Sequence, residues 1–353
     1  MGIIGNTVII AQNKSKKMTA AALGGDVDAI KSDFKKAFIK PYEQGIKVRD
    51  VLLGNEHYKL IDKSDKQITL PENIKHAYIL CVSNEPYPAV MDQMRAFLMD
   101  VDQLPPMQLS LFDLDLMAEY FKDPYEFVFY IKQRLENHED ILSSNEIIHL
   151  AYHLRCGLFM PRNSDILVVD QSFGQLIDAD YYHGKMGTPK PKKKDSLFNP
   201  WQNREFKRLV DIIKQLDDPS VADIVFFLMT IPQEIVDDIM KYINMVNSQV
   251  KKDGSKLHDF SLQITNNEQP WGGITYVSGR LTRDAVSRLR VVAIMNKYRA
   301  RAKVWLMLGA DSFGNMRHIM FNDSPWVQLE GMNKALNSYN QDTKTKKDAS
   351  MRY

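Results

Sequence analysis

Only two cysteines, Cys81 and Cys156, occur in 353 residues, too few for a disulfide scaffold, so the sequence predicts a reducing, cytoplasmic setting. Long apolar runs are scarce as well. The longest, Ile224 to Ile231, is cut by Pro232 and falls well short of the roughly 20 residues that span a bilayer, so no membrane partner is expected. The N-terminus lacks the basic region, apolar stretch and small-residue cleavage site of a signal peptide. Neither sign of charge dominates: 46 basic residues stand against 44 acidic ones, a net charge of +2. Bulk electrostatics therefore does not announce a nucleic-acid binder, and any such role must come from local patches. The basic residues do gather locally, at 14–17, 190–194 and 280–303.

What is present is the profile of a soluble globular protein, 44% hydrophobic and 25% charged, with length for about two domains. Val8 to Ala11 reads as a buried strand. Asp26 or Asp28 caps a helix carrying Ile30, Phe34, Ala37 and Phe38, which Pro41 ends or kinks, and Lys75 to Ser83 is a second strand. Strand, helix and strand in this order are the unit of a three-layer α/β domain with a partly parallel sheet. From Ser110 the pattern turns helical, with starts at Asp123-Pro124 and Asn145, and a strand is expected over 165–171. The second half offers helices from Glu205, Val221 and Pro232, two strands with QPWGGITY as a tight turn between them, a helix from Arg283 to about Lys303 and a strand at 304–311. The expected organisation is an α/β N-terminal domain over 1–105, a mainly helical region with a strand over 106–188, a basic linker over 189–204, an α+β C-terminal domain over 205–336 and a disordered tail over 337–353.

Chemistry first suggests itself where the opening strand ends, at Gln12, Asn13 and Lys14. Side chains alternate along a strand, so Gln12 and Lys14 share a face. A metal-dependent nuclease uses such a pair: an oxygen ligand for the divalent ion and an ammonium that positions water and offsets charge on the phosphorane. Glutamine supplies a neutral oxygen and binds the ion more weakly than glutamate. His149, His153 and Cys156 recur at spacings of four and three on one helix and raise a zinc reading, against which stands an ordinary packed helix face. The lysines at 190, 192, 193 and 194 precede Trp201, Arg204, Lys207 and Arg208, and Arg288, Arg290, Lys297, Arg299 and Arg301 lie on one long helix. Both groups read as solvated charge or as contacts to a phosphate backbone.

The run from Ala11 to Gly45 resembles the PD-(D/E)xK restriction-endonuclease-like nucleases, in the QxK branch of nuclease-related and Mrr-like proteins. The matching positions are Gln12, Lys14, Ser15, Tyr42 and Gln44. The resemblance implies a partial restriction-endonuclease-like domain, with Gln12 as metal ligand, Lys14 as catalytic lysine and Gln44 supporting the site from the helix. It further implies Mg or Mn as the ion of a completed site. By their charge and position rather than by the resemblance, Lys16 and Lys17 beside Ser15, and Lys192, Lys193 and Lys194 of the linker, are expected as DNA contacts. The family's aspartate belongs to the strand before the QxK strand, where MGIIGNTVIIA holds no acidic residue. The expectation is thus a truncated or split nuclease from a restriction or defence context, inactive as this chain alone, whose acidic strand comes from a protein partner. The alternative is a non-catalytic interaction or scaffold protein.

Overall fold

The computed structural model describes residues 1–54, 60–68, 70–71, 74–84, 104–161, 164–185, 187, 203–216, 218, 220–254, 256–266, 269–328 and 331–332. The expected basic linker as far as residue 202, with Lys192, Lys193 and Lys194, and the expected tail lie outside them. The chain divides into two compact units, Met1–Gln202 with Leu209–Thr230, and Asn203–Arg208 with Ile231–Tyr353.

In the first unit β1 (Gly2–Ile4) turns into β2 (Thr7–Lys14). The two-residue turn works because Gly5, with φ of 54°, takes the left-handed first position. Helix α1 (Ala20–Leu23) is capped by Thr19 and α2 (Val27–Phe34) by Asp26, whose carboxylate accepts from the Ala29 amide. A π-helical turn, Lys35–Ile39, then leads without a break into α3 (Lys40–Leu53). Pro41 therefore does not end the helix. It sits in the first turn of α3, where a missing amide hydrogen costs little, and the widened turn before it absorbs its ring.

A small hairpin, β3 (Leu60–Ile61) and β4 (Gln67–Ile68), precedes β5 (His76–Ser83), and β6 (Met107–Ser110) follows. The sheet order is β1-β2-β5-β6, with β1 antiparallel to β2 and the other neighbours parallel. The boundary expected after residue 105 thus falls just before a strand that pairs with β5 and belongs to the same sheet. One face of the sheet packs Val8, Ile10, Ala77, Ile79 and Cys81 against Phe34, Phe38, Tyr42 and Leu52. Burying side chains of this size stabilises the unit by roughly 1.5–3 kcal/mol each.

Helices α4 (Leu111–Tyr120) and α5 (Pro124–Glu136) come next, the second started by Asp123 and Pro124 as expected. The strand pair β7 (Ile141–Leu142) and β8 (Leu167–Val168) flanks α6 (Glu146–Cys156), so the strand expected over 165–171 is only two residues long. Helices α7 (Ser172–Lys185), α8 (Arg204–Lys214), of which Leu209 onward belongs to this unit, and α9 (Val221–Met229) follow. Asp223 of α9 takes hydrogen bonds from Asn6 Nδ2 at 2.6 Å and Lys75 Nζ at 3.1 Å and meets His76 Nε2 at 3.2 Å. It clamps the start of β2 to the start of β5.

The second unit holds α10 (Gln233–Lys252), β9 (His258–Asn266), β10 (Gln269–Ser278), α11 (Arg283–Ala300), β11 (Trp305–Ala310) and β12 (Met316–Asn322). Its sheet order is β12-β11-β10-β9, with β10 and β11 parallel and both outer pairs antiparallel. Alternation sends Tyr276 to one face, where Asn247 of α10 accepts its hydroxyl at 2.9 Å, and Thr275 to the other, where it accepts Trp305 Nε1 at 3.0 Å. Trp305 and Met307 form a core with Ala293 of α11. One helix therefore covers each face. Trp271, Gly272 and Gly273 lie inside β10, not in a tight turn; a bulge sits between Pro270 and Gly272.

Candidate functional site

The parallel register decides which side chains meet at the carboxyl ends of β2, β5 and β6. Gln12 pairs with Cys81 and Lys14 with Ser83, while Cys81 pairs with Gln108 and Ser83 with Ser110. Residues in register on parallel strands point to the same side, so Gln12-Cys81-Gln108 and Lys14-Ser83-Ser110 form two rows. They continue the face that carries Val8 and Ile10 below. The apolar sequence of β2 gives way to polar residues at Gln12. Carboxyl ends of parallel strands are where open α/β sheets place their ligands.

The rows are chemically uneven. Ser83 and Ser110 are buried, whereas Gln12 and Lys14 are half-buried. Ser110 Oγ donates to Asp113 Oδ2 at 2.7 Å, and the Asp113 amide returns a bond to Ser110 Oγ, a capping box that starts α4. Cys81 Sγ faces the Phe38 carbonyl at 3.8 Å, and burial pushes its thiol up to about 12, so it carries no thiolate chemistry. Among the described residues no ion pair engages Lys14.

Beyond Lys14 the loop is pinned from α2. Lys16 Nζ lies 2.8 Å from Asp33 Oδ1, and the Thr19 amide donates to Asp33 Oδ2 at 2.6 Å. The hydrogen bond from Lys16, then that from the Thr19 amide, holds this carboxyl down at about 2. Ser15 and Lys17 are exposed beside Lys16, which is half-buried.

Gln44 lies on α3 near the first of these rows. An added Cβ on its neighbour Gly45 would meet Ile79 Cγ2 at 2.7 Å, so this turn of α3 sits level with Ile79. The Gln12-Cys81 row is two strand residues further on, about 7 Å, and Gln44 itself is exposed. Tyr42 is in the core: its hydroxyl donates to the Leu104 carbonyl at 3.3 Å, as does Arg49 Nη1 at 3.4 Å.

The residues present do not fit a divalent ion. Gln12 offers one neutral oxygen beside an ammonium group, and Asp33, the carboxylate that reaches the loop after β2, is committed to Lys16 and Thr19. Among the described residues no group of three or more His, Cys, Asp and Glu side chains is placed to hold a metal. The His149, His153 and Cys156 helix face is inward: both histidines are buried, and His153 sits against the rings of Phe121, Phe129 and Tyr130. Desolvation depresses both imidazoles, His153 to about 3.

What sequence reasoning missed is Asp33 and the second and third columns of the rows. Asp33 falls within a helical pattern and looks like solvated charge, while Ser83 and Ser110 acquire a position only through strand pairing. Among the described residues no helix is long and apolar enough to cross a membrane. No family model, no curated protein and no solved structure matches the chain.

Proposed function

We propose that this protein is a nuclease-derived, DNA-associated protein in which a cationic strand end binds the phosphate backbone, while the carboxylates needed for hydrolysis are not part of the strand-end rows. The observation that carries the reading is that Gln12 and Lys14 share one face at the carboxyl end of β2, in register with Cys81 and Ser83 of β5. Lys14 and Lys17 supply charge, and Asp33 fixes the loop between them and α1 through Lys16 and Thr19. A loop held in one conformation loses less entropy on binding than a free one.

A backbone feature favours a protein partner in the same place. β1 pairs with Thr7, Val8 and Ile9 only, and among the described residues positions 10–14 of β2 pair with β5 alone. A strand added along that edge brings its side chains beside Gln12 and Lys14. A carboxylate on it would complete a site for Mg or Mn.

The test is to incubate the full chain with duplex DNA and Mg or Mn and to follow binding and cleavage separately. Binding without cleavage is expected. Cleavage that Lys14→Ala abolishes would show a complete site in this chain and contradict the proposal.

A further inference from the structure

The second unit exposes a group of arginines on α11. Helix α11 buries Val286, Ala293, Met295, Lys297 and Tyr298, packs Leu289 and Ala300 against the same core, and exposes Arg283, Asp284, Ser287, Arg288, Arg290, Val291, Ile294 and Arg299. Lys297, grouped by sequence with the exposed arginines, is on the inside, its Nζ donating to Asn322 Oδ1 at 3.1 Å and to the Ser324 carbonyl. The outward face is more selective than the sequence suggested. Arg283, Ser287, Arg290 and Ile294 follow at spacings of four, three and four and form one exposed row, with Arg288 and Val291 beside it. Asp284 is the single acid on this helix. Among the described residues no ion pair joins Arg283, Arg288 or Arg290 to an acid.

We propose that the exposed arginine row of α11, Arg283, Arg288 and Arg290, binds the phosphate backbone of duplex DNA. The guanidinium fork matches two phosphate oxygens at once, which an ammonium cannot do. Arg283 and Arg290 are two helical turns apart, about 10.5 Å, so they address separate phosphates. The exposed apolar part of the face is only Val291 and Ile294, at 55% and 37% exposure. Two partly exposed side chains are far smaller than the several hundred Å² patch that marks a protein interface or a membrane anchor. Charge therefore decides the partner. No aromatic side chain is exposed in the row, which favours a duplex backbone over stacked single-stranded bases.

This inference does not rest on the strand-end reading and is tested apart from it. The full chain is titrated against a labelled 30-base-pair duplex across a salt series, as wild type, as Arg283→Ala/Arg288→Ala/Arg290→Ala, as the matching Arg→Lys triple variant and as Lys14→Ala. With three phosphates no longer neutralised in the alanine variant, the dependence of log affinity on log salt becomes less steep by roughly three. The lysine variant keeps the wild-type slope and binds more weakly. Equal slopes for wild type and the alanine variant overturn the proposal, as does a lysine variant that loses the slope too, which would indicate a structural role. Absence of wild-type binding overturns it as well. Polyglutamate displacing the protein at a lower charge concentration than unlabelled duplex would assign the surface to an acidic protein instead. A shallower slope in Lys14→Ala alone would leave the strand-end reading standing and this one refuted.

Discussion

Lys16 and Asp33 are joined across the loop that follows β2, with Nζ 2.8 Å from Oδ1 and the Thr19 amide on the other oxygen. This one carboxylate fixes the stretch from the end of the central strand to the cap of α1. Asp33→Asn removes the ion pair and weakens the amide bond, so trypsin should cut after Lys16 and Lys17 faster than in the wild type. The carboxyl is held at about 2 in the fold against an ordinary 3.8. Its contribution is therefore complete above about pH 4 and lost as pH falls towards 2. Thermal unfolding of wild type and variant should converge over that window, and equal proteolysis at neutral pH would refute the role.

Glu146 titrates the other way. It accepts from Tyr130 and, at 3.1 Å, from Arg134 Nε, yet burial pushes its carboxyl up to about 7. A raised carboxyl contributes stability that is complete below its ordinary 4.5 and is lost as pH rises through 7. Glu146→Gln abolishes that slope; because the carboxyl is already largely neutral at pH 5, the variant should match the wild type there within about 1 kcal/mol and be the more stable of the two at pH 8. Urea unfolding at pH 5 and pH 8 checks both parts: the wild type should lose more stability between the two than the variant.

His153 supplies the opposite slope on the acid side. Its Nδ1 finds no hydrogen-bond partner among the described residues, and its ring lies 4.9 Å from that of Tyr130. The imidazole is depressed from 6.5 to about 3, so its stabilising neutral form is complete above pH 6.5 and lost as pH falls through 3. His153→Phe keeps the ring packing and removes the buried polar atom. It should raise stability by about 1 kcal/mol at neutral pH and by a growing margin towards pH 3, read from melting temperatures in a pH series. Identical acid unfolding curves would count against it.

In the second unit, a Cβ added to Gly273 would stand 2.3 Å from the Trp305 ring. Trp305 is itself held by Thr275 and packed against α11, so the ring has nowhere to move. Gly273→Ala should cost about 1–3 kcal/mol through overpacking, measured by urea unfolding. A neutral effect would show that the indole can be displaced.

These sites also show what the chain disclosed before folding. The alternation through Val8, Ile10, Gln12 and Lys14 was legible because side-chain direction in a strand follows from period alone. The caps at Asp123 and Asn145 were legible because their carboxylate and amide oxygens serve amides within their own first turns. β6 was not: four residues, Met107 to Ser110, are too few to show a period, and their place is set by pairing with β5. Gly273 read as turn chemistry because nothing local reveals an indole arriving from β11. Lys297 read as exposed because its acceptors, Asn322 and Ser324, come from a strand and loop more than twenty residues on.

The strand end is tested most directly by the salt dependence of duplex binding in Lys14→Ala/Lys17→Ala against wild type. Each lysine that no longer neutralises a phosphate should reduce the slope by about one, so a decrease of roughly two with cleavage absent in both proteins is the predicted result. An unchanged slope and affinity would contradict the assignment of the carboxyl end of β2 as a DNA-backbone site.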